Sequence, residues 1–164
     1  MPLTTRVLDA VAQPMIYVTT RSSMRPREIA AVMERSFAIL GRFMVEAGVV
    51  PLAPPLAVYR DRYGQKITID VGFPVTPEDA SKARGEVLSG KTPAGPAIKT
   101  VHRGPYDKLK DTYVQLEKAM QAEGYRGGDM SWEVYYGEPG KTPEQDLVTE
   151  IYMQLAEPDA VRAA

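Results

Sequence analysis

The chain has no cysteine, a single histidine and almost no net charge. Its 20 lysines and arginines are balanced by 21 aspartates and glutamates, so the formal net charge is −1. The absence of cysteine excludes disulfides, thiolate catalysis and zinc fingers. One histidine, His102, is too few for a histidine-rich metal site. The balanced charge gives no electrostatic footprint for nucleic acid or an anionic membrane. No metal or other cofactor is expected.

Long apolar runs are also missing. No segment approaches the roughly 18 apolar residues of a membrane-spanning helix, and the N-terminus lacks the basic and then apolar segments of a signal peptide. With 44% hydrophobic and 25% charged residues, the composition is typical of an ordinary globular protein. We therefore expect a cytoplasmic protein with no membrane association.

The chain presents the same order of elements twice, about 80 residues apart. Each half is predicted to contain a strand, a helix and two further strands. The predicted strands alternate apolar and polar residues and span 16–20, 56–59, 67–71, 98–102, 132–135 and 148–152. The predicted helices have apolar residues three or four positions apart and span about 27–47 and 106–123. This order predicts an α+β fold of tandem duplicated βαββ units with antiparallel sheets, a pseudo-two-fold axis and a ligand cleft between the halves.

The duplication sets the predicted boundaries. We expect a single domain over 1–164, with a first repeat at about 4–75 and a second at about 97–157. The turn-forming prolines and glycines of about 76–96 predict a linker. An additional strand is predicted near 6–12, ahead of the first repeat, and the long loop 137–143 is a candidate lip over a pocket.

Two carboxylates occupy equivalent positions in the last strand of each half. Asp70 and Glu150 alternate with large apolar residues, so both are predicted to lie on the sheet face away from the helix. Burial of an unpaired carboxylate is unfavourable or shifts its pKa. A concave, partly solvated site therefore explains these acids better than a sealed core.

An ordered set of residues resembles the GyrI-like small-molecule-binding domain. The set is His102-Arg103-Gly104-Pro105-Tyr106, Leu109, Tyr113, Leu116, Gly124, Trp132-Glu133-Val134-Tyr135, Pro139 and Thr149-Glu150-Ile151-Tyr152, and the first-half segment 69–75 fits the same family. This domain is also the effector-binding domain of multidrug-sensing transcription activators of the MerR and AraC types. The resemblance covers nearly the whole chain and leaves no room for a helix-turn-helix, so we expect a standalone form.

The resemblance implies a pocket between the halves, lined by aromatic rings and acidic side chains that attract lipophilic cations. We expect a binding protein for lipophilic, cationic or aromatic drug-like molecules, without direct binding to nucleic acid. The alternative is a hydrolase that opens strained cyclopropanoid genotoxins, as some family members resemble, with Glu133 and Glu150 as its catalytic carboxylates. A protein-interaction modulator of the DNA gyrase type ranks lower, because the acidic residues are scattered; any protein partner is unknown.

The candidate ligand-binding residues are aromatic and acidic side chains of the predicted strands and of the second helix start. They are Tyr59, Asp70, Tyr106, Trp132, Glu133, Tyr135, Glu150 and Tyr152. Alternation leaves one choice open, because Trp132 and Glu133 point to opposite faces and either could line the pocket. A β-bulge could bring both near the pocket, and the family resemblance implies that both can line it. For Asp70, the competing interpretation is a structural pair with a nearby arginine, lysine or backbone amide.

His102 is interpreted as structural. It precedes a turn and a helix start, where its ring can satisfy backbone groups, and no motif places a serine, cysteine or aspartate beside it. The same position disfavours His102 as an axial haem ligand. The natural ligand and the oligomeric state stay open at this point.

Overall fold

The computed structural model describes residues 3–156 and has the predicted α+β class with antiparallel strands. The strands are β1 (Thr5–Ala10), β2 (Pro14–Ser23), β3 (Leu56–Tyr63), β4 (Lys66–Pro74), β5 (Leu88–Lys91), β6 (Gly95–Arg103), β7 (Gly127–Tyr136) and β8 (Val148–Leu155). The helices are α1 (Pro26–Ala47), α2 (Pro77–Ala80) and α3 (Leu109–Glu123), with 3₁₀ turns at Tyr106–Lys108 and Glu144–Asp146. Across residues 3–156, no helix combines the length and the apolar character of a membrane span.

The chain divides into two compact units. The N-terminal unit is Val11–Ala94, and the C-terminal unit combines the residues up to Ala10 with those from Gly95 onward. Each unit repeats the order strand, helix, strand, strand, as β2-α1-β3-β4 and as β6-α3-β7-β8. The predicted duplication of a βαββ element is therefore confirmed. The predicted pseudo-two-fold axis and cleft stay predictions.

In the N-terminal unit, α1 packs on an antiparallel sheet with the order β3-β4-β2-β5. Pro26 occupies the first turn of α1, where its missing N–H removes no hydrogen bond, and Gly48 ends the helix in a left-handed conformation with φ 68°. The apolar stripe of α1 faces the sheet, since Phe37 meets Phe73 of β4 edge to face at 6.1 Å. The odd-numbered residues of β4 therefore lie on the helix side.

In the C-terminal unit, α3 covers an antiparallel sheet with the order β1-β6-β8-β7. Its core consists of Ile98 and Ile151 from the sheet and Leu116 and Met120 from α3, each at most 5% exposed. Ile98 and Ile151 thus mark the helix-facing side of this sheet.

The predicted boundaries differ from the structure in two places. The N-terminal strand pairs with β6, with Val7 opposite Ile98, so it belongs to the C-terminal unit and not to the first repeat. The predicted linker 76–96 contains α2, β5 and the start of β6, and β5 pairs with β2. Both strands satisfy backbone groups that β6 and β2 would otherwise leave at a sheet edge. The pairing partners of these two strands lie far away in the sequence, so the local pattern of apolar and polar residues does not indicate them.

Candidate functional site

The register of β7 against β8 divides the predicted site residues between two sheet faces. Glu133 lies opposite Ile151, and Ile151 belongs to the core under α3. Because opposed residues share a face, Glu133 points to the α3 side. Trp132 lies opposite Tyr152 and therefore points to the other face. The register thus shows which of the two residues faces α3, while the question of which one lines a ligand pocket stays open.

The α3 side holds a group of three tyrosines around one carboxylate, which we call the Glu133 cluster: Tyr106, Tyr113, Glu133 and Tyr135. The Tyr113 hydroxyl donates to Glu133 Oε2 at 2.5 Å, and the Tyr135 hydroxyl donates to Glu133 Oε1 at 2.6 Å. The rings of Tyr106 and Tyr135 meet edge to face at 5.8 Å. Glu133 is only 5% exposed, so two phenols replace part of the hydration that its carboxylate loses.

The electrostatics of this cluster favour the protonated phenol of Tyr106. Burial and then the negative charge of Glu133 raise the pKa of Tyr106 above its ordinary value. A neutral phenol donates a hydrogen bond and presents an electron-rich ring face. A buried carboxylate among such rings is suited to an organic cation, because it combines charge attraction with cation–π contact.

His102 positions the 3₁₀ turn that carries Tyr106 and the first turns of α3, which carry Tyr113. Its Nδ1 lies 2.7 Å from the Thr112 hydroxyl, and its Nε2 lies 2.9 Å from the Pro105 carbonyl oxygen. A carbonyl only accepts, so Nε2 carries the proton and Nδ1 accepts from Thr112. The interpretation of His102 as a structural residue is confirmed, since the ring joins β6 to both ends of the segment 105–112.

The opposite face of the same sheet holds a second group, the Glu150 cluster: Lys99, Trp132, Tyr136, Glu150 and Tyr152. Lys99 Nζ lies 2.6 Å from Glu150 Oε2, while Tyr136 and Tyr152 donate to Oε1 at 3.2 and 3.0 Å. Trp132 stacks on Tyr152 with ring centroids 5.2 Å apart and nearly parallel planes. Lys99 pairs with Glu150, so a ligand cation would have to compete with this lysine for the carboxylate.

The same group perturbs one phenol strongly. Burial, together with the charge of Glu150 and its hydrogen bond, raises the pKa of Tyr152 to about 12. Tyr152 is therefore a hydrogen-bond donor throughout the physiological pH range. Its side chain links the stacked Trp132 ring to the Lys99–Glu150 ion pair.

The two candidates in the N-terminal unit also lie on different faces of their sheet. Asp70 is 9% exposed and accepts from Arg60 Nε at 2.7 Å and from the second guanidinium nitrogen at 3.2 Å, away from α1. Tyr59 lies opposite Ile69 and contacts Met33 of α1, with its hydroxyl 3.7 Å from the thioether sulfur. Asp70 thus has the arginine partner that its structural interpretation required.

The structure therefore does not collect the eight candidates in one place. Tyr106, Glu133 and Tyr135 come together on the α3 side, and Trp132, Glu150 and Tyr152 come together on the opposite face. A mechanism that uses Glu133 and Glu150 on the same substrate is wrong, because their side chains leave the sheet in opposite directions.

Sequence reasoning missed three residues of these clusters, Tyr113, Lys99 and Tyr136. Tyr113 was named only among the residues of the family resemblance, although a buried phenol needs a hydrogen-bond partner. Lys99 had no assigned role. The pairing could have been predicted from the register of the two strands, because Lys99 and Glu150 lie on the same face of neighbouring strands.

A family model described as the GyrI-like small molecule binding domain matches residues 4–156. The chain belongs to this GyrI-like family. No curated protein matches it significantly in sequence.

Solved structures with the same fold include regulators and proteins described as hydrolases. The C-terminal domain of EcmrR is 19% identical with a TM-score of 0.78, and the match covers 96% of this chain and 99% of that one. In the complex of EcmrR with DNA, the match spans 57% of the EcmrR chain. A hydrolase from Listeria innocua is 15% identical with a TM-score of 0.63, covering 94% and 93%. SAV2435 bound to tetraphenylphosphonium is 11% identical with a TM-score of 0.63, covering 96% and 97%. At these identities the likeness shows the fold alone.

Proposed function

We propose that the chain binds lipophilic organic cations with aromatic groups, and that the Glu133 cluster is the binding site. The observation that carries the proposal is a carboxylate that is 5% exposed and holds the hydroxyls of Tyr113 and Tyr135. A buried carboxylate hydrogen-bonded to phenols is a candidate functional group, because such surroundings are typical of sites that bind or react with a ligand. The cation-binding neighbour SAV2435 supports the same ligand class.

The proposed site distinguishes lipophilic cations from small hydrated cations by the cost of removing their water. A lipophilic cation loses little hydration when it enters an apolar site, whereas a small, strongly hydrated cation loses much. Each aromatic face within about 6 Å contributes about 0.5–2 kcal/mol of cation–π attraction. Tyr106 and Tyr135 already present rings at an angle of 65° to each other, which is an arrangement that suits a bulky ligand better than a flat plane.

Isothermal titration calorimetry with tetraphenylphosphonium tests the proposal. We expect Glu133→Gln to weaken binding at least tenfold, because it removes the charge while keeping the shape. Glu150→Gln is the matched control, since Glu150 lies on the opposite face of the same sheet, and we expect its affinity to stay within twofold of the unaltered protein. Tetraphenylborate, an anion of the same shape, is expected not to bind. Equal affinity of the Glu133→Gln variant and the unaltered protein would refute the assignment.

Hydrolysis is the second candidate function, now carried by Glu133 alone with its phenols. The observation that favours it is the hydrogen-bonded set of one carboxylate and two protonated phenols, which offers a base and an acid in one site. Water would add to a strained ring carbon as Glu133 takes its proton, and a phenol would protonate the carbon released when the ring bond breaks. Mass spectrometry after incubation with a cyclopropane-bearing alkylator should show a product heavier by one water, absent with Glu133→Gln. No such product at high protein concentration rules this function out.

A further inference from the structure

Thr149 has a buried hydroxyl without a hydrogen-bond partner. Its side chain is 0% exposed, and within residues 3–156 its Oγ1 is the one buried side-chain polar atom that forms no hydrogen bond. Valine has the same shape and would remove this unfavourable desolvation at no cost in packing. An unsatisfied buried group in a native protein therefore requires an explanation, such as a ligand or water that completes it.

Thr149 lies beside one member of the Glu133 cluster, Tyr135, on the neighbouring strand. Thr149 of β8 is directly opposite Tyr135 of β7 and directly opposite His102 of β6. Opposed side chains share a face and have Cβ atoms about 4.5–5.5 Å apart. Thr149 therefore points to the α3 side, beside the tyrosine that donates to Glu133.

The neighbouring histidine does not satisfy this hydroxyl. Both ring nitrogens of His102 are occupied, one by Thr112 and the other by the Pro105 carbonyl oxygen. The equivalent threonine one row away behaves differently, because the Thr100 hydroxyl donates to the Thr4 carbonyl oxygen at 2.8 Å. A buried threonine in this sheet can thus donate to a backbone carbonyl oxygen, whereas the Thr149 hydroxyl forms no such hydrogen bond.

We infer that Thr149 is a ligand-recognition residue of the Glu133 cluster. Its hydroxyl forms a hydrogen bond with a neutral polar group on the ligand, such as a hydroxyl, an ether or a carbonyl. The ligand class is then an aromatic cation that carries such a group, and not a pure hydrocarbon cation. Because Thr149 is 0% exposed, contact with a ligand requires neighbouring side chains on this face of the sheet to move. This inference rests on the proposed function.

The test compares two cations and three variants by calorimetry. The probes are tetraphenylphosphonium and the same cation with one para-hydroxymethyl group. We expect Thr149→Val to weaken binding of the hydroxymethyl cation by about tenfold, the equivalent of one lost hydrogen bond, and to leave tetraphenylphosphonium unchanged. Thr149→Ser, which keeps the hydroxyl, should retain the preference for the substituted cation. Thr100→Val is the matched control, since it removes a satisfied hydroxyl and should leave the ratio of the two affinities unchanged.

The possible failures are distinguishable. If both cations bind and Thr149→Val changes neither the affinities nor their ratio, Thr149 is not a recognition residue, while the proposed function stands. If neither cation binds the unaltered protein, the proposed function falls and this inference falls with it. A loss of both affinities by the same factor in Thr149→Val also contradicts the inference, because it indicates a general change in the site.

Discussion

Replacing Tyr113 by phenylalanine should destabilise the C-terminal unit by about 2 kcal/mol, because hydrogen bonds to charged groups contribute about 1.5–3 kcal/mol. The change removes one hydroxyl, which donates to Glu133 Oε2 at 2.5 Å, and keeps the ring. Glu133 is 5% exposed, so water does not readily replace the lost donor. The expected penalty is therefore that of a partly unsatisfied buried carboxylate and not that of a surface contact.

Urea unfolding measures this penalty. Trp132 is the single tryptophan and lies in the same unit as Glu133, so its fluorescence follows the relevant transition. With a urea slope of about 2 kcal/mol per molar, the midpoint should fall by about 1 M. Tyr125→Phe is the control, since Tyr125 is 37% exposed, and its effect should stay within about 0.5 kcal/mol.

A double-mutant cycle with Glu133→Gln separates the pair from its surroundings. We expect a coupling free energy of about 1–2 kcal/mol between the hydroxyl and the carboxylate. A coupling near zero, or a Tyr113→Phe effect no larger than that of Tyr125→Phe, would refute the reasoning. In that case the carboxylate would be stabilised by groups other than this phenol.

Three further predictions concern the remaining parts of the chain. Arg60→Met should lower the free energy of unfolding by about 2 kcal/mol in chemical denaturation, since it leaves the buried Asp70 carboxylate without its arginine partner. Adding Asp70→Asn should recover part of that loss, and no recovery would contradict the pairing. The raised pKa of Tyr152, about 12, favours the neutral phenol in the folded state, so its stabilisation is complete below about pH 10 and is lost as the pH rises towards 12. The Tyr152→Phe variant should therefore lose less thermal stability than the unaltered protein between about pH 10 and 12. Identical pH profiles of the two proteins would contradict this prediction. Gly72→Ala should destabilise by about 3 kcal/mol or more, because a Cβ there would lie 2.1 Å from the Ile16 carbonyl oxygen; a near-neutral melting temperature would disprove the close approach.

Periodicity alone predicted most of the secondary structure. Alternation in the last strand of each half placed Asp70 and Glu150 away from the helices, and the structure places both there. Pro26 lies in the first turn of α1, and Gly48 and Gly124 end the two long helices in left-handed conformations, as their types alone would indicate. These features depend on neighbouring residues in the chain, so local physical preferences are sufficient to predict them.

The ion pairs could not be predicted in the same way. Glu150 had been expected to serve a ligand, but Lys99 from β6 lies 2.6 Å from it. Asp70 is paired with Arg60, ten residues away along a hairpin. Whether a carboxylate is neutralised depends on the register between strands, and alternation does not specify that register. The same limit applied to β1 and β5, whose partners lie far away in sequence.

The sequence by itself determined the duplicated βαββ order, the faces of the two strand acids and the membership of a small-molecule-binding family. Only the tertiary structure decided which acid lies under α3 with Tyr113 and which is paired with a lysine on the other face. Glu133 and Glu150 are equally plausible carboxylates when read along the chain, with tyrosines near both. Pairing of β7 with β8 turns Glu133 towards α3 and Tyr113, and turns Glu150 towards Lys99. The physical reason is that alternation assigns residues to faces, whereas the register and the packed helix determine what each face meets.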